Sequence, residues 1–514
     1  MSTIKRGEFL KAIGALALAP GIRLRAAKTG TRANPALTRV NRKFLPTPGE
    51  VRSWHEIKDS KGGPTLTGSP SWHNYVEMLE KEWRALGVTD IVRNPIRYTR
   101  WYTTEFPDDT NWSLHVDGKK IRVASYGCYS GRTPDNGVTG GLVVYKAGMP
   151  DEALRGKIAV IVKDPSPGLS RGTDDYEYLS SADTFPNPLK PYDDEAILSP
   201  YPIMGLGAAQ EPLTRAGAVG AVIVMPFPFE ATTGLYTFPV PALHQMPTLY
   251  VDRNTGAGIA SAAGTGKQAT LRLIAITEKA EGYELFGYLP GRNYGSPDDK
   301  QILLITHTDG PSISQENGGI GILSILKYFS RIPRAERPRS LMLFYDCRHF
   351  MPGMERAFAD QDYAASHSDV YNKVIASIGI EHLGQSKVEE GGGQPFHFSS
   401  VPDLTTMYTT NNAHLVDLTV AAVKENHLPR TQVQAPGRKG LHGGEQGPWY
   451  GLGSIANRNH IPGVAAIGAL TGYWTSTARI EHLDAKLFLA QMASVCQVCG
   501  NLMAADLESI KSAP

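Results

Sequence analysis

Three short polar groups in this chain carry the residue types of a metal site. They are His307-Thr308-Asp309, Asp346-Cys347-Arg348-His349 and Glu381-His382, and each follows or closes an apolar run. A fourth group, Glu316-Asn317-Gly318-Gly319, stands just before a helical pattern. Alone, a strand-end histidine is ordinarily a hydrogen-bonded structural residue, and a glutamate before a helix ordinarily faces the helix dipole. Together they imply more. Two carboxylates about 4 Å apart repel by about 4 kcal/mol at an effective dielectric of 20. Glu316 and Glu381 therefore share a site only with positive charge between them. A divalent ion meets that need, and imidazole with carboxylate suits zinc first, with manganese or iron as alternatives. The expected metal ligands are His307, Glu316, His349 and Glu381. Asp309, two residues past His307, is the carboxylate expected to orient that imidazole. Arg348 offers the opposing explanation, in which its guanidinium neutralises both glutamates without an ion.

A sheet has to position these groups. Residues 301–306, 340–345, 374–380 and 464–467 are apolar without alternation, the pattern of strands buried on both faces. Between the first two, Ile322, Ile325, Leu326 and Phe329 fall on one face of a helix over 320–329. Strands alternating with helices predict an α/β unit with a mixed, mostly parallel sheet flanked by helices. Ligands of such sheets bind at the carboxyl ends of the strands, where the polar groups sit. Upstream, residues 28–70 read as polar and punctuated by proline and glycine. A helix is expected over 71–86 and a strand over 88–98. Residues 120–280 have another texture, with short β runs between turns and one helix over 208–216. That stretch reads as a small β-rich module. Trp101, Tyr102, Phe106 and Trp112 precede it, either packing between domains or lining a cleft. Residues 391–393 read as a mobile turn. A glycine-rich loop at 440–447 carries His442 and Glu445 and reads either as an approach to the rim or as a plain turn with exposed polar residues.

These residues resemble the family-28 metallopeptidases, the group of zinc aminopeptidases, glutamate carboxypeptidase and the transferrin receptor. The family's His-x-Asp is similar to His307-Thr308-Asp309, its Asp-Asn before a small-residue helix start to Glu316-Asn317, and its Asp-Met-x-Gly to Glu381-His382-Leu383-Gly384. Its Ser-Asp-His-x-Pro-Phe loop resembles residues 444–449, its Gly-Ile-Pro resembles His460-Ile461-Pro462, and its late Tyr-His-Thr resembles Tyr473-Trp474-Thr475. The resemblance implies a phosphorylase/hydrolase-like zinc peptidase fold. It makes 120–280 an inserted protease-associated (PA) domain, with 28–119 and 281–514 as the two parts of the peptidase-like domain.

The departures fall on the chemistry. Where the family has Glu-Glu, a general base followed by a ligand, this chain has Arg348-His349. A guanidinium cannot take a proton from water. The family's last histidine ligand is Trp474. The resemblance therefore implies at most one well-held ion. The first functional expectation is a hydrolase of amide or peptide-like bonds, with Arg348 as an anion or oxyanion clamp and Glu445 as a base. Asp346, His382 and His442 are further base candidates. The alternatives are a non-catalytic binding protein and a lyase or acyl transferase using the same ion.

Composition narrows the setting. The 514 residues carry 52 Lys and Arg against 50 Asp and Glu, which argues against a nucleic-acid binder. Four cysteines exclude a disulfide-built scaffold, and Cys496-x-x-Cys499 reads as buried helix cysteines or one incidental disulfide. Residues 1–27 read as an export signal: Lys5 and Arg6, an apolar stretch at 12–19, Pro20, then Ala26-Ala27. Arg6-Gly7-Glu8-Phe9-Leu10-Lys11 resembles the twin-arginine motif, with Gly7 in place of its second arginine. The expectation is a bacterial protein exported to the periplasm or beyond, with no membrane span in the mature chain. Its partner would be a small-molecule or peptide-like substrate, with homodimerisation open.

Overall fold

The strands that carry the polar groups are apolar throughout because both of their faces are covered. The computed structural model describes residues 34–164, 176–183, 206–236, 243–391, 394–438, 451–469 and 474–510. A nine-stranded sheet is built in the order Thr89–Tyr102, Ile276–Leu289, Ser340–Asp346, Gln301–His307, Val374–Glu381, Gly463–Gly468, Thr405–Thr409, Thr431–Arg438 and Tyr176–Asp183. The four strands from Ser340–Asp346 to Gly463–Gly468 are mutually parallel. His307 pairs with Asp346 in register, so these polar groups meet at one rim.

Alternate residues of these strands enter different cores. Ile302, Leu304, Leu341 and Leu343 pack with the helices Pro48–Asp59, Pro70–Ala85, Gly318–Ser330 and Ala485–Ala504. Leu303, Ile305, Met342 and Phe344 point the other way, where Phe286 stacks on Phe344 at 4.5 Å between ring centroids. This two-sided burial is the reason for the missing alternation. Ala485–Ala504 is the one described helix long and apolar enough to cross a membrane. Of its most apolar window, 78% is buried in the protein. Cys496 and Cys499 lie in this helix as free, buried thiols.

A second, eight-stranded sheet draws its strands from Trp112–Val116 through Gln268–Leu273. Its parallel core is Val138–Val144, Ile158–Val162, Gly220–Val224 and Thr248–Val251. The chain leaves the main sheet at Tyr102 and returns at Ile276, and these two residues are paired neighbours. The unit is therefore an insertion between adjacent antiparallel strands, although Tyr176–Asp183 reaches back to the main sheet's edge. A helix at Arg253–Gly264, not evident in the sequence, packs on this unit.

The region read as irregular, 28–70, holds a helix that bears on the site. Thr47 caps Pro48–Asp59 by accepting from Glu50 N while the Glu50 carboxylate accepts from Thr47 N. Val51, Trp54, His55 and Lys58 are its buried residues, spaced as one helical face.

Candidate metal centre

The helix start that presents Glu316 is pressed against two strand ends. A Cβ added at Gly318 would lie 2.0 Å from Ile380 O and 2.1 Å from Thr306 Oγ1, so only glycine permits this approach. Asn317 locks the arrangement. Its Nδ2 donates to Leu383 O (2.8 Å) and its Oδ1 accepts from Leu383 N (3.0 Å). Tyr75 Oη donates to Glu316 O at 2.8 Å from the neighbouring helix.

His307 is fully buried at the end of its strand. Its Nδ1 donates to Asp309 O at 2.7 Å, which fixes the ring and turns the Nε2 lone pair towards Glu381. The backbone of Asp309 thus does the orienting that was expected of its carboxylate, whose Oδ1 stands 3.8 Å from Nδ1. Asp309 Oδ2 accepts from Phe350 N at 2.6 Å. Burial pushes the Asp309 carboxyl up to about 7 against the opposing pull of His307.

Successive strand residues ordinarily face opposite sides. His382 escapes this rule because its φ is +58°, so the chain turns at the strand end and His382 meets Glu381 on one side. His382 Nδ1 faces Gly468 O at 3.4 Å, again leaving Nε2 as the acceptor. Gln315 Nε2 lies 3.2 Å from that nitrogen, so an incoming ligand would displace this amide. Glu381 Oε1 accepts from Leu452 N. Its Oε2 lies 3.4 Å from His307 Nε2 and 3.6 Å from His382 Nε2. His307 Nε2 and Glu381 Oε2 are both buried without a hydrogen-bond partner.

The two separations from Glu381 Oε2 match the ligand spacing of one ion. Two ligands of a tetrahedral ion, each about 2.0–2.2 Å from it, stand roughly 3.3–3.6 Å apart. Among the described residues, His307, Glu381 and His382 form the group whose ligand atoms all come within 4.8 Å of one another. Their protonation suits the task. Burial favours the neutral acid at Glu381, but the facing His307, His382 and His349 hold it down to about 2. Burial holds His382 at about 3, with Glu381 opposing, so the ring is neutral.

The other expected site residues are placed differently. Glu316 is buried beside Lys58, whose Nζ lies 2.5 Å from Glu316 Oε1 and donates to Ser312 O at 2.8 Å. The positive charge against this carboxylate is therefore a lysine from the N-terminal helix. Burial lowers the Lys58 pKa, with Glu316 opposing. His349 lies against His307, with ring centroids 4.4 Å apart, outside the three-residue group. Arg348 faces away from Glu316 and Glu381. Its Nη2 lies 2.7 Å from Asp346 Oδ2 and 2.8 Å from both Glu284 Oε1 and Asp362 Oδ2. Its Nε donates to Asp346 Oδ1 at 2.8 Å. Trp474 is buried against Phe350 at 6.0 Å between centroids. Glu445 and His442 lie outside the described residues. Lys58 and the ligand placement of His382 were missed from sequence. The signal for Lys58 was its place on the apolar face with Val51, Trp54 and His55.

No protein-family model matches the chain, and no curated protein matches it in sequence. Solved structures do match. An aminopeptidase from Aneurinibacillus sp. strain AM-1 superposes with a TM-score of 0.57 at 13% identity, covering 93% of this chain and 98% of that one. A zinc aminopeptidase from Bacillus subtilis gives 0.55 at 13% identity, over 91% and 99%. A peptidase M28 precursor from Shewanella amazonensis gives 0.59 at 12% identity, over 91% and 96%. Two sheets, polar groups gathered at one rim of strand ends and these superpositions lead to one statement: the chain has the fold of the M28 zinc aminopeptidases.

Proposed function

We propose that this protein is an exported metal-dependent hydrolase of amide bonds in small or peptide-like substrates. It works with a single divalent ion, zinc first, held by His307, Glu381 and His382. The observation that carries this reading is the convergence of buried ligand atoms, with Nε2 of His307 and Oε2 of Glu381 lacking any hydrogen-bond partner. Buried polar atoms are rarely left unpaired, and such atoms facing one another call for a cation. An ion held there supplies Lewis-acid polarisation of the scissile carbonyl, worth several kcal/mol.

The chain's own residues do the rest. The backbone carbonyls of Asp309 and Gly468 keep both imidazoles aimed at the site. Glu381 stays ionised and balances the charge of the ion. Asp309, held near 7 by burial, can hold a proton on its unpartnered Oδ1 beside His307 at neutral pH. Phe350, His349 and Trp474 form an aromatic wall that limits water. The inserted eight-stranded unit is proposed as the PA module. It donates to this wall through Tyr236 N to Trp474 O at 2.9 Å.

A non-catalytic binding protein is the second reading. It is favoured by Lys58, which occupies the charge of Glu316, and by Arg348, which stands where the family's base would be and is tied to acids. Turnover separates the two. The zinc-loaded chain should hydrolyse members of an aminoacyl-amide and acyl-peptide panel. A chelator should abolish turnover, zinc should restore it, and Glu381→Gln should lower kcat/KM by at least about 100-fold, or roughly 2.7 kcal/mol. Zinc-loaded protein that binds these amides without turning them over would establish the binding reading instead.

A further inference from the structure

Gln315 stands one residue before Glu316, is fully buried, and reaches the metal group with its side chain. Its stem is held in place. Gln315 N donates to Ser312 Oγ at 3.2 Å, and a Cβ added at Gly310 would lie 2.4 Å from Gln315 Cγ and 2.9 Å from its Cβ. The terminal carboxamide torsion is the freedom that remains. Such sp³–sp² torsions are broad and roughly two-fold, so the amide can turn over on a fixed stem.

The hydrogen bonding of this amide is uneven. Nε2 lies 3.2 Å from His382 Nε2, whereas Oε1 is buried with no hydrogen-bond partner. His382 explains the orientation. Its Nδ1 faces Gly468 O and so carries the proton, which leaves a lone pair on Nε2. That lone pair takes a donor and repels an acceptor. Without a cation the amide must turn its NH2 end to His382, and its carbonyl is left over, a costly state for a buried acceptor.

A cation reverses the preference. It satisfies the lone pairs of both His382 Nε2 and Gln315 Oε1 once the carboxamide has turned over. The turn exchanges the two terminal atoms and brings Oε1 to the place of Nε2, 3.2 Å from His382 Nε2. Ligands about 2.0–2.2 Å from one tetrahedral ion stand roughly 3.3–3.6 Å apart, so this spacing is close to that of a ligand pair. A carbonyl oxygen is a harder donor than imidazole and suits zinc less well, which makes it the ligand most easily replaced.

We propose that Gln315 Oε1 is a fourth ligand of the metal centre, turned onto the ion that His307, Glu381 and His382 hold. This role rests on the three-residue centre proposed above and is independent of whether that centre hydrolyses amides. Catalytic zinc ordinarily keeps three protein ligands and one replaceable position. Gln315 fills that position when no substrate is present and gives it up to a substrate carbonyl.

Zinc affinity of the full chain, measured by competition with a chromogenic chelator, tests the role without any turnover. Gln315→Leu should bind zinc at least about tenfold more weakly, or roughly 1.4 kcal/mol. Gln315→Glu should bind it at least as tightly as the unaltered chain. A carboxylate ligates an ion but cannot donate to His382 Nε2, so this rescue separates ligation from merely holding the imidazole. An infrared difference spectrum of the unaltered chain, isotope-labelled at its glutamine side-chain carbonyls, decides the matter even if the variants do not fold. Zinc should shift a label-sensitive band to lower frequency. Undiminished zinc binding in Gln315→Leu, a loss in Gln315→Glu as large as in Gln315→Leu, or zinc bound without a shift of that band would overturn the fourth ligand and leave the three-residue centre standing. An unaltered chain that takes up no zinc would overturn both.

Discussion

Replacing Arg348 by alanine is expected to destabilise the fold by about 3–5 kcal/mol, the cost of removing one partner from a buried ionic group. Arg348 and the side chains of Asp346 and Glu284 are buried, while Asp362 is partly exposed. One guanidinium thus serves three carboxyls. Glu284 carries the excess: burial pushes it to about 8, Asp346 adds to the rise and Arg348 opposes it. Removing the arginine takes away the cation that opposes this rise, so the folded-state pKa of Glu284 climbs further. The native state then binds more protons than the unfolded state, so stability falls as pH rises. The deficit of Arg348→Ala, measured by urea unfolding, should therefore be larger at pH 8 than at pH 5. The same geometry decides the fate of Arg348→Glu, which the sequence suggests as a way to restore a base. It would place another carboxyl among three and should fail to fold rather than gain activity. A loss below about 1 kcal/mol for Arg348→Ala, independent of pH, would show that the network is solvated and dispensable.

Lys58→Met is the second large effect expected. Lys58 and Glu316 are both buried, at 2% and 0% side-chain exposure, with 2.5 Å between their charged atoms. Methionine keeps much of the side-chain volume but leaves Glu316 as an uncompensated buried charge, again at about 3–5 kcal/mol. Adding Glu316→Gln should recover most of that loss, because replacing both members of a buried pair is often close to neutral. A double-mutant cycle on urea midpoints measures the coupling. Additive losses would mean that the two side chains do not neutralise one another. Little loss from Lys58→Met alone would mean that Glu316 finds another cation.

The parts of the fold legible in the sequence are those fixed by periodicity. Gln301–His307, Ser340–Asp346, Val374–Glu381 and Gly463–Gly468 are buried on both faces, and continuous apolar runs announce that directly. The positions of His307 and Glu381 at strand ends follow from the same runs. Side-chain direction does not. Arg348 turns back to the aspartate two residues before it, and its other partners are Glu284 of Ile276–Leu289 and Asp362, 14 residues further on. No local pattern encodes that closure. His382 joins the ligand group through a left-handed backbone angle, which strand alternation hides. Lys58 was legible in part: Val51, Trp54, His55 and Lys58 recur at helical spacing, but surrounding prolines and glycines made the segment read as loop. A buried Glu316 carboxylate calls for positive charge nearby. The sequence offers an ion or Arg348 for that charge, and the fold supplies Lys58.

The most direct measurement is elemental analysis of the chain after equilibration with zinc and removal of the unbound metal. The account predicts about one zinc per chain, and loss of that zinc in Glu381→Ala and in His307→Ala. Protein that retains no zinc, or that retains it undiminished when both of these side chains are removed, would contradict a metal centre built from His307, Glu381 and His382.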